Sequence, residues 1–79
     1  MKKIIRFKDW DDAVGFVSKI ESLQSDVNIY NGNMIFDAKS ILGVTNLDIK
    51  KNYTVEFVGQ NLEELQAFRD IVEGYGVWN

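Results

Sequence analysis

The chain contains no histidine and no cysteine, which closes imidazole and thiol chemistry to it and excludes disulfides and thiolate metal sites. A cysteine-free composition is compatible with a reducing compartment. Proline is absent as well, and no repeat, low-complexity tract or long connection interrupts the sequence, so residues 1–79 read as a single domain. No run approaches the roughly 20 apolar residues needed to span a bilayer. Only Ile4 and Ile5 follow Met1-Lys2-Lys3 before Arg6, which leaves no apolar segment for a secretory signal. A cytoplasmic protein without a membrane partner is expected. Positive charge is in deficit: nine basic against twelve acidic residues give a net charge of −3 and a pI near 4.7. That is the wrong sign for a phosphate backbone, so no nucleic-acid partner is expected. Lys2, Lys3, Arg6 and Lys8 are basic, but Asp9, Asp11 and Asp12 cancel their field, and the cluster reads as a solvated strand edge.

What is present suits a small globular α+β protein. Apolar residues are 46% of the chain, enough to fill a core without a cofactor, and none is expected. Lys2 to Phe7 is short and rich in β-branched and aromatic residues, which predicts a strand. Asp9 is placed to cap a helix beginning near Trp10, with Asp11 and Asp12 at the positive end of its dipole. Trp10, Ala13, Val14, Val17 and Ile20 recur at helical spacing with Phe16 on the flank, so one apolar face through about Leu23 is expected to be buried. Gly15 inside that helix costs roughly 1 kcal/mol relative to alanine; it either permits close packing or is tolerated.

Asp26 to Tyr30 and Met34 to Asp37 flank Asn31-Gly32, a pair suited to a type I′ hairpin turn. From Ala38 to about Leu47 there is room for one short helix, with Asp37 or Ser40 as its cap. Asn52 to Val58 alternates Tyr53, Val55 and Phe57 against Thr54 and Glu56, the pattern of a half-buried strand. Asn61 with Glu64 forms a capping box before the apolar stripe Leu62, Leu65, Phe68 and Val72, and this last helix should stop near Gly74. The predicted order is βαββαβα. Three helices on one face of an antiparallel sheet would bury every stripe, although periodicity alone leaves the strand order open.

Asp37-Ala38-Lys39-Ser40-Ile41-Leu42-Gly43-Val44, followed by Asn46-Leu47, resembles the Lys-Ser-Ile-Leu/Met-Gly-Val signature of HPr, the histidine-containing phosphocarrier of the bacterial sugar phosphotransferase system. Asp26-Val27-Asn28-Ile29 before Asn31-Gly32, and Ala13-Val14-Gly15-Phe16-Val17, are similar to the same family, so the likeness spans nearly the whole chain. It implies an open-faced β-sandwich with a four-stranded antiparallel sheet and three helices on one face. The family carries its phosphoryl group on a histidine in a Gly-Leu/Ile-His-Ala-Arg-Pro-Ala loop. Between Phe7 and Ala13 this chain has only Lys8-Asp9-Trp10-Asp11-Asp12, with carboxylates where the histidine and arginine belong. Phosphotransfer through histidine is therefore excluded, and the acids would repel phosphate from the helix start.

The resemblance implies two further sites. Ser40 matches the serine that a kinase modifies in HPr proteins of many Gram-positive bacteria, where modification changes partner choice; the plainer reading is a helix cap. In that family the apolar side chains around the serine-bearing helix and the end of the first helix form a docking patch; Ile41, Leu42, Val44 and Leu47 match that helix and Trp10 lies near the patch's other edge, although Trp10 also falls on the expected core face of its own helix. A non-catalytic regulatory module that binds protein partners follows, similar to the HPr homologue of catabolite repression that also lacks the histidine; a structural or oligomerising domain is the alternative. The aromatic tail through Tyr75 and Trp78 either folds back on the core or seeds a homo-oligomer. No metal site is expected from Asp9, Asp11 and Asp12, because acids collect at helix starts for dipole reasons alone. Glu63 and Glu64 diverge on their helix and make no acid/base pair.

Overall fold

The computed structural model describes residues 1–40, 48–49 and 51–76. Strands β1 (Lys2–Ile5), β2 (Asp26–Asn31), β3 (Met34–Asp37) and β4 (Tyr53–Val58) form one antiparallel sheet in the order β1-β4-β2-β3, with helices α1 (Trp10–Ile20) and α2 (Leu62–Glu73). These are two helices among the described residues, where three were expected. The third, predicted from Ala38 to about Leu47, falls mostly outside the described residues; Ala38 and Lys39 lie in a turn.

Register assigns the faces. Ile5 pairs with Tyr53, and Ile29 with both Val55 and Phe36, so these side chains share one side of the pleat. On that side Ile5, Val27, Ile29, Tyr53, Val55 and Phe57 join Ala13, Phe16, Val17, Ile20, Phe68 and Val72 of the helices in one buried cluster. The opposite side is open: the Lys2 ammonium sits 5.1 Å over the Tyr30 ring, and the Tyr30 hydroxyl donates to Glu56. That acceptor holds the phenol pKa above its ordinary value.

The α1 face differs from expectation. Phe16, assigned to the flank, is fully buried, whereas Trp10 and Val14 are 46% and 44% exposed. The cause is tertiary: Phe16 lies 5.4 Å from the Phe7 ring and 5.2 Å from the Tyr75 ring, so aromatics from outside the helix turn its buried stripe toward Phe16. Phe7 itself falls beyond the end of β1 but is as buried as a core residue. In α2, Phe68 and Val72 are buried and Leu65 half-buried, but Leu62 is 78% exposed; the stripe begins one turn later than its spacing predicts.

The hairpin forms with its turn displaced by one residue. Asn31 pairs with Met34, leaving Gly32 and Asn33 as the loop. Gly32 alone has a positive φ, 61°, which is the type II′ pattern of glycine in the first central position, not type I′. The tail folds back on the core through Tyr75: Arg6 donates its N–H to the Tyr75 carbonyl at 3.0 Å, and Gly76 bridges Ile5. Trp78 lies outside the described residues.

Candidate functional site: the entry of helix α1

The segment between β1 and α1 is where the sequence places its acids. Asp9 is the N-cap in extended conformation, and its carboxylate accepts the Asp12 N–H at 2.8 Å. Asp12 reaches back and accepts the Lys8 N–H at 2.9 Å. The helix start therefore holds two of its own carboxylates on two backbone donors, a reciprocal arrangement close to a capping box. An incoming anion would meet negative charge where a bare helix N-terminus offers free amides. Among the described residues no group of three or more acids is arranged to hold a metal ion.

Trp10 and Val14 stand one turn apart on α1, both exposed. Trp10 is thus largely outside the core, although its spacing on α1 placed it on the expected core face. At the end of β3, Asp37 accepts the Lys39 N–H with its carboxylate at 2.9 Å and the Ser40 N–H with its carbonyl at 3.0 Å. Ser40 is half-buried at this turn. Ile41, Leu42, Val44 and Leu47 lie outside the described residues, so Trp10 and Ser40 are the parts of the expected sites that the structure places. No described helix is long and apolar enough to cross a membrane.

One cross-link was not foreseen. Asn61 caps α2 by accepting the Glu64 N–H at 3.0 Å, but the Glu64 carboxylate does not complete the capping box. It accepts instead from Gln24 N–H at 2.6 Å, Ser25 N–H at 2.8 Å and the Ser25 hydroxyl at 2.5 Å. The Gln24 N–H first, then the Ser25 hydroxyl, hold its pKa below the ordinary 4.5, with Lys39 adding attraction. The partners are 39 and 40 residues distant in sequence, and no local pattern announces such a bond.

One covered sheet face, one open face and a solvent-presented helix entry define an open-faced α+β sandwich. Residues 12–74 match the family of the PTS HPr component phosphorylation site, and the chain belongs to that family. Solved structures share the fold. A phosphocarrier protein HPr from Bacillus anthracis is 20% identical with a TM-score of 0.76, covering 95% of each chain. HPr-C-His from Thermoanaerobacter tengcongensis is 22% identical with a TM-score of 0.71, covering 94% of this chain and 90% of that one. Crh, the catabolite repression containing protein of Bacillus subtilis, described as a swapped, intertwined dimer, is 22% identical with a TM-score of 0.61, covering 94% and 88%. No curated protein matches by sequence.

Proposed function

We propose that residues 1–79 are a single-domain, non-catalytic regulatory module of the phosphotransferase system that binds protein partners in the cytoplasm and cannot carry phosphohistidine. The observation carrying this reading is the α1 entry. The 79 residues include no histidine, and the backbone donors at Lys8 and Asp12 are taken by Asp12 and Asp9. Exposed Trp10 supports a docking surface, since indoles displayed to solvent are favoured anchors at interfaces. In this reading Trp10 joins Ile41, Leu42, Val44 and Leu47 in the partner-binding patch, and Ser40 is the candidate regulatory phosphorylation site, where a phosphate would add about −1.5 to −2 charges.

The test pairs two assays on the full chain. With phosphoenolpyruvate and the general phosphotransferase enzyme, no acid-labile phosphate should appear; its appearance would refute the loss of carrier function. With a bifunctional HPr kinase, intact mass should rise by one phosphate and Ser40→Ala should abolish the rise. No modification of the wild-type chain removes Ser40 from the reading. A second reading, an oligomerising domain, draws support from the swapped dimer of Crh and from Trp78 in the tail. Light scattering on the chain with and without its last residues separates it from the regulatory reading.

A further inference from the structure

The sheet face turned away from α1 and α2 carries two rows of side chains, each with one residue from every strand. Register places Ile4, Thr54, Tyr30 and Ile35 side by side in one row, and Lys2, Glu56, Asn28 and Asp37 in the next. An antiparallel sheet with one wet face ordinarily keeps that face polar, yet Ile4 is 43% exposed and Ile35 59%, one on each outer strand of the four. In the second row the charges also stand at the two ends, Lys2 on β1 and Asp37 on β3, and both are exposed. Asp37 accepts the Lys39 N–H through Oδ1, so its other oxygen can take a further donor. The Lys2 ammonium lies over the Tyr30 ring and has three N–H donors to share.

This face is complementary to itself. A twofold axis running along the strands, midway between β4 and β2, lays β1 of one copy over β3 of a second and β4 over β2. Aligned sheets pack with their strands within about 30° of each other, so each row meets its own counterpart. Ile4 then lies on Ile35 of the second copy, Lys2 faces Asp37, and Asn28 brings an amide to Glu56; each contact is made twice. A twofold across the strands would instead set β1 on β1 and hold Lys2 away from Asp37. We propose that the open sheet face binds a second copy of this chain through the Ile4–Ile35 contact and the Lys2–Asp37 ion pair. Four strands and about five residues of each give a footprint of roughly 300 Å², well under the roughly 800 Å² per partner of a stable interface, so the association is weak and reversible. It uses neither the α1 entry nor Ser40.

Amide NMR spectra of the full chain, diluted from about 2 mM to about 0.05 mM, cover the range in which so small an interface dissociates. Concentration-dependent shifts are expected at Lys2, Ile4, Thr54, Tyr30 and Ile35 and not at Trp10, and Ile35→Lys should abolish them. Lys2→Glu and Asp37→Lys each bring like charges together twice, and each should weaken the association at least about tenfold. An equimolar mixture of these two variants regains both ion pairs, one of them with its signs exchanged, and should associate nearly as well as wild type; a folding defect in either variant would not be rescued by mixing. Spectra that do not change with concentration, shifts confined to α1 or to the C-terminal residues, or no recovery in the mixture would overturn the assignment.

Discussion

An alanine methyl at Gly59 would lie 2.7 Å from the Ser25 hydroxyl oxygen, 2.9 Å from Ser25 Cβ and 3.2 Å from Phe57 Cζ. Neither neighbour is free to yield: Ser25 donates twice to Glu64, and the Phe57 ring stacks 5.5 Å from Phe68. Gly59 does not have a positive φ, so the objection to alanine is space alone. Overpacking of this kind costs about 1–3 kcal/mol. Gly15 provides the contrast, because a methyl there meets only the Tyr75 hydroxyl at 3.5 Å, an ordinary contact. In a helix interior alanine is favoured over glycine by about 1 kcal/mol. For a domain of this size about 1 kcal/mol moves Tm by about 4–8 °C. Gly15→Ala should therefore raise Tm by about that much, and Gly59→Ala should lower it by at least about 4 °C, both read by circular dichroism with urea midpoints as the check. Combining Gly59→Ala with Ser25→Gly should give a smaller loss than the two single changes added, because Ser25 is the group in the way. A Gly59→Ala protein as stable as wild type, or strict additivity with Ser25→Gly, would refute the reasoning.

The Glu64 staple makes stability fall on the acid side. Its folded pKa is depressed by the Gln24 and Ser25 donors, so its contribution is full above the ordinary value of 4.5 and is lost as pH falls below it. Urea midpoints of wild type and Glu64→Gln should differ near neutrality and converge in acid; a constant gap would count against the staple. Asp9→Ala removes the acceptor of the Asp12 N–H and should cost about 1 kcal/mol, measurable as a lower urea midpoint. Trp10 is 46% exposed, so Trp10→Ala should shift stability by no more than about 0.5 kcal/mol while reducing partner recovery from a native cytoplasmic extract. A large loss of stability would instead make Trp10 a packing residue.

Where burial follows local period, the sequence was readable. β4 alternates in the structure as Tyr53-Thr54-Val55-Glu56-Phe57 does in the sequence, with every second residue buried. Asp9 and Asn61 cap α1 and α2 at their expected positions. Asn31-Gly32 located the hairpin but not its turn type, since the pairing of Asn31 with Met34 is decided by register across the strands. The α1 face could not be read from its own residues, because Phe7 and Tyr75 arrive from distant segments and decide that Phe16 is inside and Trp10 outside. That displacement leaves Trp10, a residue at core spacing, 46% exposed. The carboxylates at the α1 entry were legible as a chemical departure from the family, and their bonds to Lys8 and Asp12 amides give the departure a physical content. A helix start that holds its own carboxylates on the Lys8 and Asp12 amides meets an incoming phosphate with charge of the same sign, and what the entry still offers a partner is the indole beside it.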